Sequence, residues 1–474
     1  AKPGGDEGGD RDEGEEQVRS PTEDGMLLNV TEELERAGQR PRSWKVARET
    51  ENFPVLRPRS PCRAVCPHFG RGRGCRWDEK CCFVHEHWPG WDVRDEIEGT
   101  RRVRFVGKSI SEGGTGKRGE ALLYRTLAQV GFRRAEEADP QACVAISRRF
   151  ARVPVAPGTV TLMNHFPGTH ILGRKDCLYR AMRDSPWLPA AYILPDDADA
   201  LVEAAAREDY WISKPRAGGE GRDVKIVKRV DAELLSRPSC VSKYVADVLT
   251  IYDRKTDFRL YCLVTDFTSS GTVLLYREGL VRSCKLPYDL SEEGIAVAQR
   301  HLTNNCINKV TGKDDKYGGG RNNWCLYDFE KWLGTQDKPY SFQSIWEGFC
   351  ALAVATVRSA APTITAECER LGVCGVAEPQ ENVGLRCFEV FAMDVLVDGS
   401  GKPWLLEVNT NPGLHGSHPS GVVQPRKQDV FSCLLADVWS IVLSSLEGQP
   451  WPEAHLSRFH AMPLYPAEQD AMTS

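Results

Sequence analysis

The chain has 474 residues with a formal net charge of −5, too long for a single core, so two to four domains are expected. No uninterrupted run of 18 apolar residues occurs, and the acidic, Gly-rich start lacks the apolar core of a signal peptide, so neither a membrane span nor a secretory leader is expected. Seventeen cysteines, an odd number spread over strand-like and helix-like segments, argue against a secreted disulfide scaffold and for a reducing compartment, where clustered thiols bind metal.

Residues 1–55 have almost nothing to bury. They read as a disordered acidic segment passing into a basic, proline-punctuated linker. Residues 62–88 form a unit dense in Cys, His, Gly and Arg. Within CPHFGRGRGCRWDEKCCFVH, Cys66, Cys75, Cys81 and His85 are separated by eight, five and three residues. Three thiolates and an imidazole suit tetrahedral zinc, and loops this short would fold only around the metal. The spacing resembles the CCCH zinc-finger family, whose aromatic positions match Phe69, Trp77 and Phe83. That resemblance implies binding either to single-stranded RNA, by base stacking, or to protein. Cys82 beside Cys81, and Asp78 where many relatives have Gly, depart from the pattern.

From about residue 101 the composition is globular. RRVRFVGK, GEALLYRTLAQVGF and ACVAIS alternate strand, helix and strand, predicting a small α/β domain over 101–163. RKDCLYRAMRD reads as a helix, and YWISKP and DVKIVKR as strands around a Gly-rich turn. DFRLYCLVTDF and GTVLLYREGLVRS read as an antiparallel pair, SIWEGFCALAVATVRSAAP as a long buried helix and DVFSCLLADVWSIVLSSL as a closing helix. These make a second unit over 164–445, and the proline-bearing 446–474 reads as a flexible tail.

The stretch MDVLVDGSGKPWLLEVNTNPG reads as a hairpin with Asp394 in its first strand and Glu407 and Asn409 two apart in its second. Residues two apart share a face, so three oxygen-bearing side chains converge on one patch. Two carboxylates and an amide oxygen suit magnesium, which takes a few protein oxygens and completes its shell with water and phosphate. Alone, the three residues are equally compatible with a structural ion-pair patch. Lys214 ends a strand just before Gly218, Gly219 and Gly221, where backbone N–H groups can approach phosphate. Lys243, Tyr244 and Val245 form a short hinge whose backbone can read adenine. Lys255, Asp257 and Arg259 alternate along one strand face, Arg282 ends the next strand, and His301, Thr303 and Asn304 follow on a loop.

Taken in order, NHFPGTHILGRKDCL, WISKP with GGEG, KYV, KTDFRLYCLV, YREGLVR, HLTNNCINK and MDVLVD with WLLEVNTNPG resemble the tubulin tyrosine ligase-like family of ATP-grasp ligases, from about 101 to 440. The resemblance implies an α/β (α+β) fold in which ATP lies between two antiparallel sheets, and ATP-dependent joining of an amino acid to a protein. It implies that Lys175, Lys214, Gly218, Gly219, Gly221, Lys243, Tyr244, Val245, Lys255, Asp257, Thr303 and Asn304 meet the nucleotide. It also implies that Asp394, Glu407 and Asn409 hold magnesium and that Lys214, Arg259, Arg282 and Glu407 carry the chemistry. Departures are Ser242 for the Gln usual before the hinge, Asp223 for a Gly, and NTNPGLHG for a shorter signature.

The acceptor implied is tubulin or another acidic protein. Arg101 to Met182 carries 15 Lys and Arg against 6 Asp and Glu, a basic surface for such a partner. The donor is glutamate by weak preference, with tyrosine or glycine as alternatives, and the setting is cytoplasmic, on the cytoskeleton or cilium. The competing reading is a zinc-finger binding protein carrying an inactive ligase domain.

Overall fold

The computed structural model describes residues 139–465, apart from 148, 208–209, 217–220, 305–306, 309–323, 378–382 and 415–424, together with the backbone strands 62–65, 83–84, 101–105 and 132–134. Helices and sheets are mixed, as the motif order predicts. The zinc ligand set Cys66, Cys75, Cys81 and His85 lies outside the described residues, as do Gly218 and Gly219.

A central sheet of seven strands organises the molecule. Trp324–Cys325, Thr272–Ser283, Arg254–Val264, Glu389–Val397 and Pro403–Asn409 lie side by side in that order, all antiparallel. Arg254–Val264 splits its side chains cleanly. Phe258, Leu260, Cys262 and Val264 point to one core and Tyr261 and Leu263 to another. The first core is filled by the helix Phe342–Leu371, where Phe258 meets Phe349 with ring centroids 5.4 Å apart. The second is covered by Pro425–Leu446, through Phe431, Leu434 and Val438. Burial of each such side chain contributes about 1.5–3 kcal/mol. Asp257 and Arg259 occupy the same face as Tyr261 and Leu263, closer to the strand's start. That face therefore turns from apolar to charged along a single strand.

The long helix starts at a capping box on Ser341 and ends at Gly372, whose φ of 63° is the left-handed conformation a helix C-terminus uses. The helix read from SIWEGFCALAVATVRSAAP runs on past Pro362 to Leu371, with Ile364 and Cys368 extending the buried stripe beyond the proline. Packing of that stripe outweighs the missing N–H. This helix is long and apolar enough to cross a membrane by length and composition, although no unbroken apolar run signals it; half of the apolar window is buried within the molecule.

Ala191–Leu194, Ser239–Lys243, Trp211–Pro215 and Lys225–Val227 form a smaller antiparallel sheet. The predicted strand pair around the Gly-rich turn is its outer edge. A third sheet is parallel and runs Cys374–Gly375, Leu385–Cys387, Thr161–Met163, Val144–Ile146, Arg101–Phe105, Phe132–Arg134. Its first two strands come from beyond residue 370, so the 101–163 unit read from sequence borrows strands from far along the chain. The segment expected to be a tail is also structured to residue 465. Phe459–Pro463 pairs with Thr272–Tyr276 as an added strand of the central sheet, and the Leu464 N–H donates to the Gly271 carbonyl at 2.8 Å.

Candidate active site

A cleft of about 930 Å³ opens between the small sheet and the charged end of the central sheet. Lys175, Lys214, Gly221, Lys243, Tyr244, Val245, Lys255, Asp257, Arg282, Thr303, Asn304, Asp394 and Glu407 all line it. Residues singled out over more than 230 positions of sequence thus share one cavity. Among the described lining residues, six side chains are cationic and three are carboxylates, an excess that suits a polyanion.

Strand register builds the charged floor. Arg259 stands directly opposite Asp394, and Asp257 directly opposite Arg282. Arg259 donates to both Asp394 oxygens at 2.8 Å. Arg282 donates to the two Asp257 oxygens at 2.7 and 2.5 Å, and its second contact reaches Asp394 at 3.0 Å. The Thr303 hydroxyl donates to Asp257 at 2.5 Å. Burial opposes charge on Asp394, but the two guanidiniums outweigh it and hold its carboxyl well below the usual carboxylate range. Arg282, to which the family resemblance gives a part in the chemistry, here grips Asp257 and Asp394.

On the neighbouring strand Glu407 lies opposite Asp394 across the hairpin, and Lys175, the first residue of the helix Lys175–Ala181, pairs with Glu407 at 3.2 Å. The Asn409 amide lies 3.4 Å from Asp394. The Lys214 ammonium donates to the Tyr179 hydroxyl at 3.3 Å and to the Leu406 carbonyl at 3.4 Å, which ties the small sheet to the hairpin. Tyr179 escaped the sequence reading because nothing but its place three residues beyond Asp176 on a short helix marks it.

The donor set tests the fit to magnesium. Among the described residues no group of three or more His, Cys, Asp and Glu is gathered for a metal. Asp394 and Glu407 with Asn409 are instead hard oxygens on adjacent strands. Turning the Asn409 amide over, an assignment free to change, presents its oxygen to the same point. Asp394, Glu407 and Asn409 therefore fit the ion by chemistry, with Lys175, Arg259 and Arg282 paired to the two carboxylates.

At the hinge, the Lys243 and Tyr244 amides donate to the Ala190 and Tyr210 carbonyls at 2.8 and 2.9 Å. The Tyr244 side chain is buried, with its hydroxyl 3.0 Å from the Lys255 ammonium, which sits 4.2 Å over the ring. Ser242, in place of the usual Gln, is buried and lines the cleft.

The departure at Asp223 does not reach the described cleft lining. The residue is exposed and has φ 55°, the left-handed backbone that a Gly supplies freely and Asp tolerates. Gly221 has φ 71°, and a Cβ there would meet Ile307 Cδ1 at 2.6 Å and Asn304 Oδ1 at 3.0 Å. Gly221 thus sits directly against Asn304 and Ile307. Gly221→Ala is expected to weaken ATP binding several-fold and to lower stability by about 1–2 kcal/mol; calorimetric titration and thermal melting measure both.

Residues 155–448 match the profile of the tubulin-tyrosine ligase family. Human tubulin monoglutamylase TTLL4 is 29% identical over 301 residues, covering 57% of this chain and 24% of that protein. Human probable tubulin polyglutamylase TTLL2 is 30% identical over 285 residues, covering 56% and 44%, and mouse tubulin polyglutamylase TTLL5 is 29% identical over 295 residues, covering 59% and 21%. The chain therefore spans less than half the length of these relatives. Since the matched segment holds six of the seven strands of the central sheet and every described residue of the cleft lining, the chain belongs to the tubulin-tyrosine ligase family.

Proposed function

We propose that the protein is an ATP-dependent carboxylate–amine ligase that joins glutamate to tubulin or another acidic protein. The observation that carries this is the cleft itself, where an excess of buried cations faces an oxygen-rich hairpin. The names of the relatives, mono- and polyglutamylases, favour glutamate over tyrosine or glycine.

The chemistry follows from a poor electrophile. A carboxylate of the acceptor takes the γ-phosphoryl group of ATP, giving an acylphosphate and ADP. The amine of the incoming glutamate attacks the acyl carbon, the new C–N bond forms as the acyl–oxygen bond breaks, and phosphate and a proton leave. No nucleophilic side chain is needed; positioning and charge neutralisation do the catalysis. Lys214 and Lys255 offset phosphate charge, and Arg259 and Arg282 fix the carboxylates of the floor while adding positive potential. Magnesium, held by Asp394, Glu407 and Asn409, would supply further neutralisation of the phosphates.

The test incubates the full chain and tubulin with ATP, magnesium and, in turn, labelled glutamate, glycine and tyrosine. Glutamate is expected to enter tubulin only when ATP is present; failure of all three amino acids to label tubulin would refute the reading. A cytoplasmic, cytoskeletal or ciliary site of action follows from the acceptor. The zinc set Cys66, Cys75, Cys81 and His85, with single-stranded RNA or protein as its partner, stands on sequence spacing as a second, separate proposal.

A further inference from the structure

Tyr244, marked by sequence only as hinge, and His301, which precedes the Thr303–Asn304 loop, meet inside the molecule. The Tyr244 hydroxyl is 2.9 Å from His301 Nδ1, and His301 Nε2 is 3.1 Å from the Gly294 carbonyl. Both side chains are buried, and the Tyr288 ring stands edge-on to His301 with centroids 5.5 Å apart. A carbonyl only accepts, so Nε2 carries a hydrogen and donates it. Burial, together with the nearby Lys255 charge, disfavours the imidazolium. Nδ1 is then a lone pair, and the Tyr244 hydroxyl donates to it. The lone pairs of the tyrosine oxygen are left to face Lys255, whose ammonium donates to them at 3.0 Å. Each bond in the line Lys255, Tyr244, His301, Gly294 then has a defined donor; the Tyr288 oxygen, whose own hydrogen goes to the Ala246 carbonyl at 2.8 Å, is the competing acceptor for the Tyr244 proton.

We propose that His301, acting through the Tyr244 hydroxyl, is a positioning residue that aims the Lys255 ammonium at the nucleotide. Lys255 is a long side chain with many rotamers, and its place on the Arg254–Val264 strand fixes only where its stem begins. The neighbouring Asp257 is already committed to Arg282 and Thr303. The tyrosine oxygen is the neutral acceptor that holds the ammonium still without quenching its charge, and the ring beneath it adds a cation–π contact. This inference rests on the ATP-ligase reading and refines one part of it. It also explains the coupling of two sequence motifs that lie 57 residues apart.

Charge on Lys255 is sensitive to this arrangement. Burial pulls its pKa down to about 8, with Lys214 pushing the same way and Cys284 and Asp257 opposing. Tyr288 also bonds Tyr244, and Asp289 and Arg300 act on His301. Removing the acceptor oxygen leaves the ammonium with less support, so the lysine loses its proton at lower pH.

The experiment uses the full chain and titrates ATP with magnesium by calorimetry, alongside steady-state kinetics of glutamate incorporation. Tyr244→Phe keeps the ring and is expected to weaken ATP about tenfold, with the KM for ATP rising alike. The KM for glutamate should stay within about twofold, because the line touches only the nucleotide side. The alkaline fall of ATP affinity should move to lower pH in the variant. On a Lys255→Met background, Tyr244→Phe should change ATP affinity no further. Should the phenylalanine variant melt at a much lower temperature, His301→Gln against His301→Phe decides instead: glutamine offers an acceptor and a donor and is expected to restore part of the affinity. Equal ATP affinity in Tyr244→Phe and wild type, or full additivity with Lys255→Met, overturns the inference while leaving the ligase reading standing. A wild-type chain that binds no ATP overturns both.

Discussion

Glu407→Gln is expected to lower glutamate incorporation by more than about a hundredfold while leaving the melting temperature nearly unchanged. Glutamine keeps the volume and the strand position, so the Asp394–Glu407 cross-strand pairing survives. What disappears is one anionic oxygen pair. Glu407 is 23% exposed at its side chain, and the glutamine carbonyl oxygen can still accept from the buried Lys175 ammonium that Glu407 meets at 3.2 Å, so the structural loss is small. The functional loss is larger because a neutral amide cannot replace a carboxylate in holding magnesium against the phosphates. The measurement is labelled-glutamate incorporation beside a thermal melt of the same preparation. Wild-type turnover in the variant would remove Glu407 from the chemistry.

Asp394→Ala should behave in the opposite way for stability. Its carboxylate holds Arg259 through two bonds at 2.8 Å and Arg282 at 3.0 Å, all within the buried floor. Truncation leaves Arg259 without its partner and Arg282 with Asp257 alone. Breaking a buried pair by removing one member costs about 3–5 kcal/mol, because the remaining charge stays desolvated. The sign with pH follows from the depressed pKa. A carboxylate held below its unfolded value contributes its full stability above that value, near 4, and loses it only as pH falls through the folded pKa. The gap between wild type and Asp394→Ala in chemical denaturation should therefore be constant at neutral pH and shrink in strong acid. Two residues of one proposed metal set thus separate, one governing turnover and the other also governing the fold.

Strand alternation made the charged floor of the cleft readable from the amino acids. Arg254–Val264 places Lys255, Asp257 and Arg259 at alternate positions, and a one-residue slip would bury Asp257 among Phe329 and Phe349. Register was not readable. That Arg259 faces Asp394 depends on pairing across 135 positions of chain, and that Arg282 faces Asp257, only 25 positions away, depends on a pairing whose register shifts between Leu260 and Cys262. Cys374–Gly375 and Leu385–Cys387 were missed because strands of two and three residues have no periodicity to detect. Tyr244 and His301 were found as motif members, but their contact is side chain to side chain across a fold, which no local pattern encodes.

The strand Phe459–Pro463 carries a practical consequence for anyone preparing a shorter fragment. Cutting after the Pro425–Leu446 helix, where composition suggests the folded part stops, would strip the neighbour from Thr272–Tyr276. It would also remove the Leu464 carbonyl that receives two bonds from Arg358 on the long helix, at 3.0 and 2.7 Å. An apolar strand with bare amides invites a second molecule to pair with it. Such a truncate would self-associate through that seam, and any inactivity it showed would report on solubility rather than on the cleft.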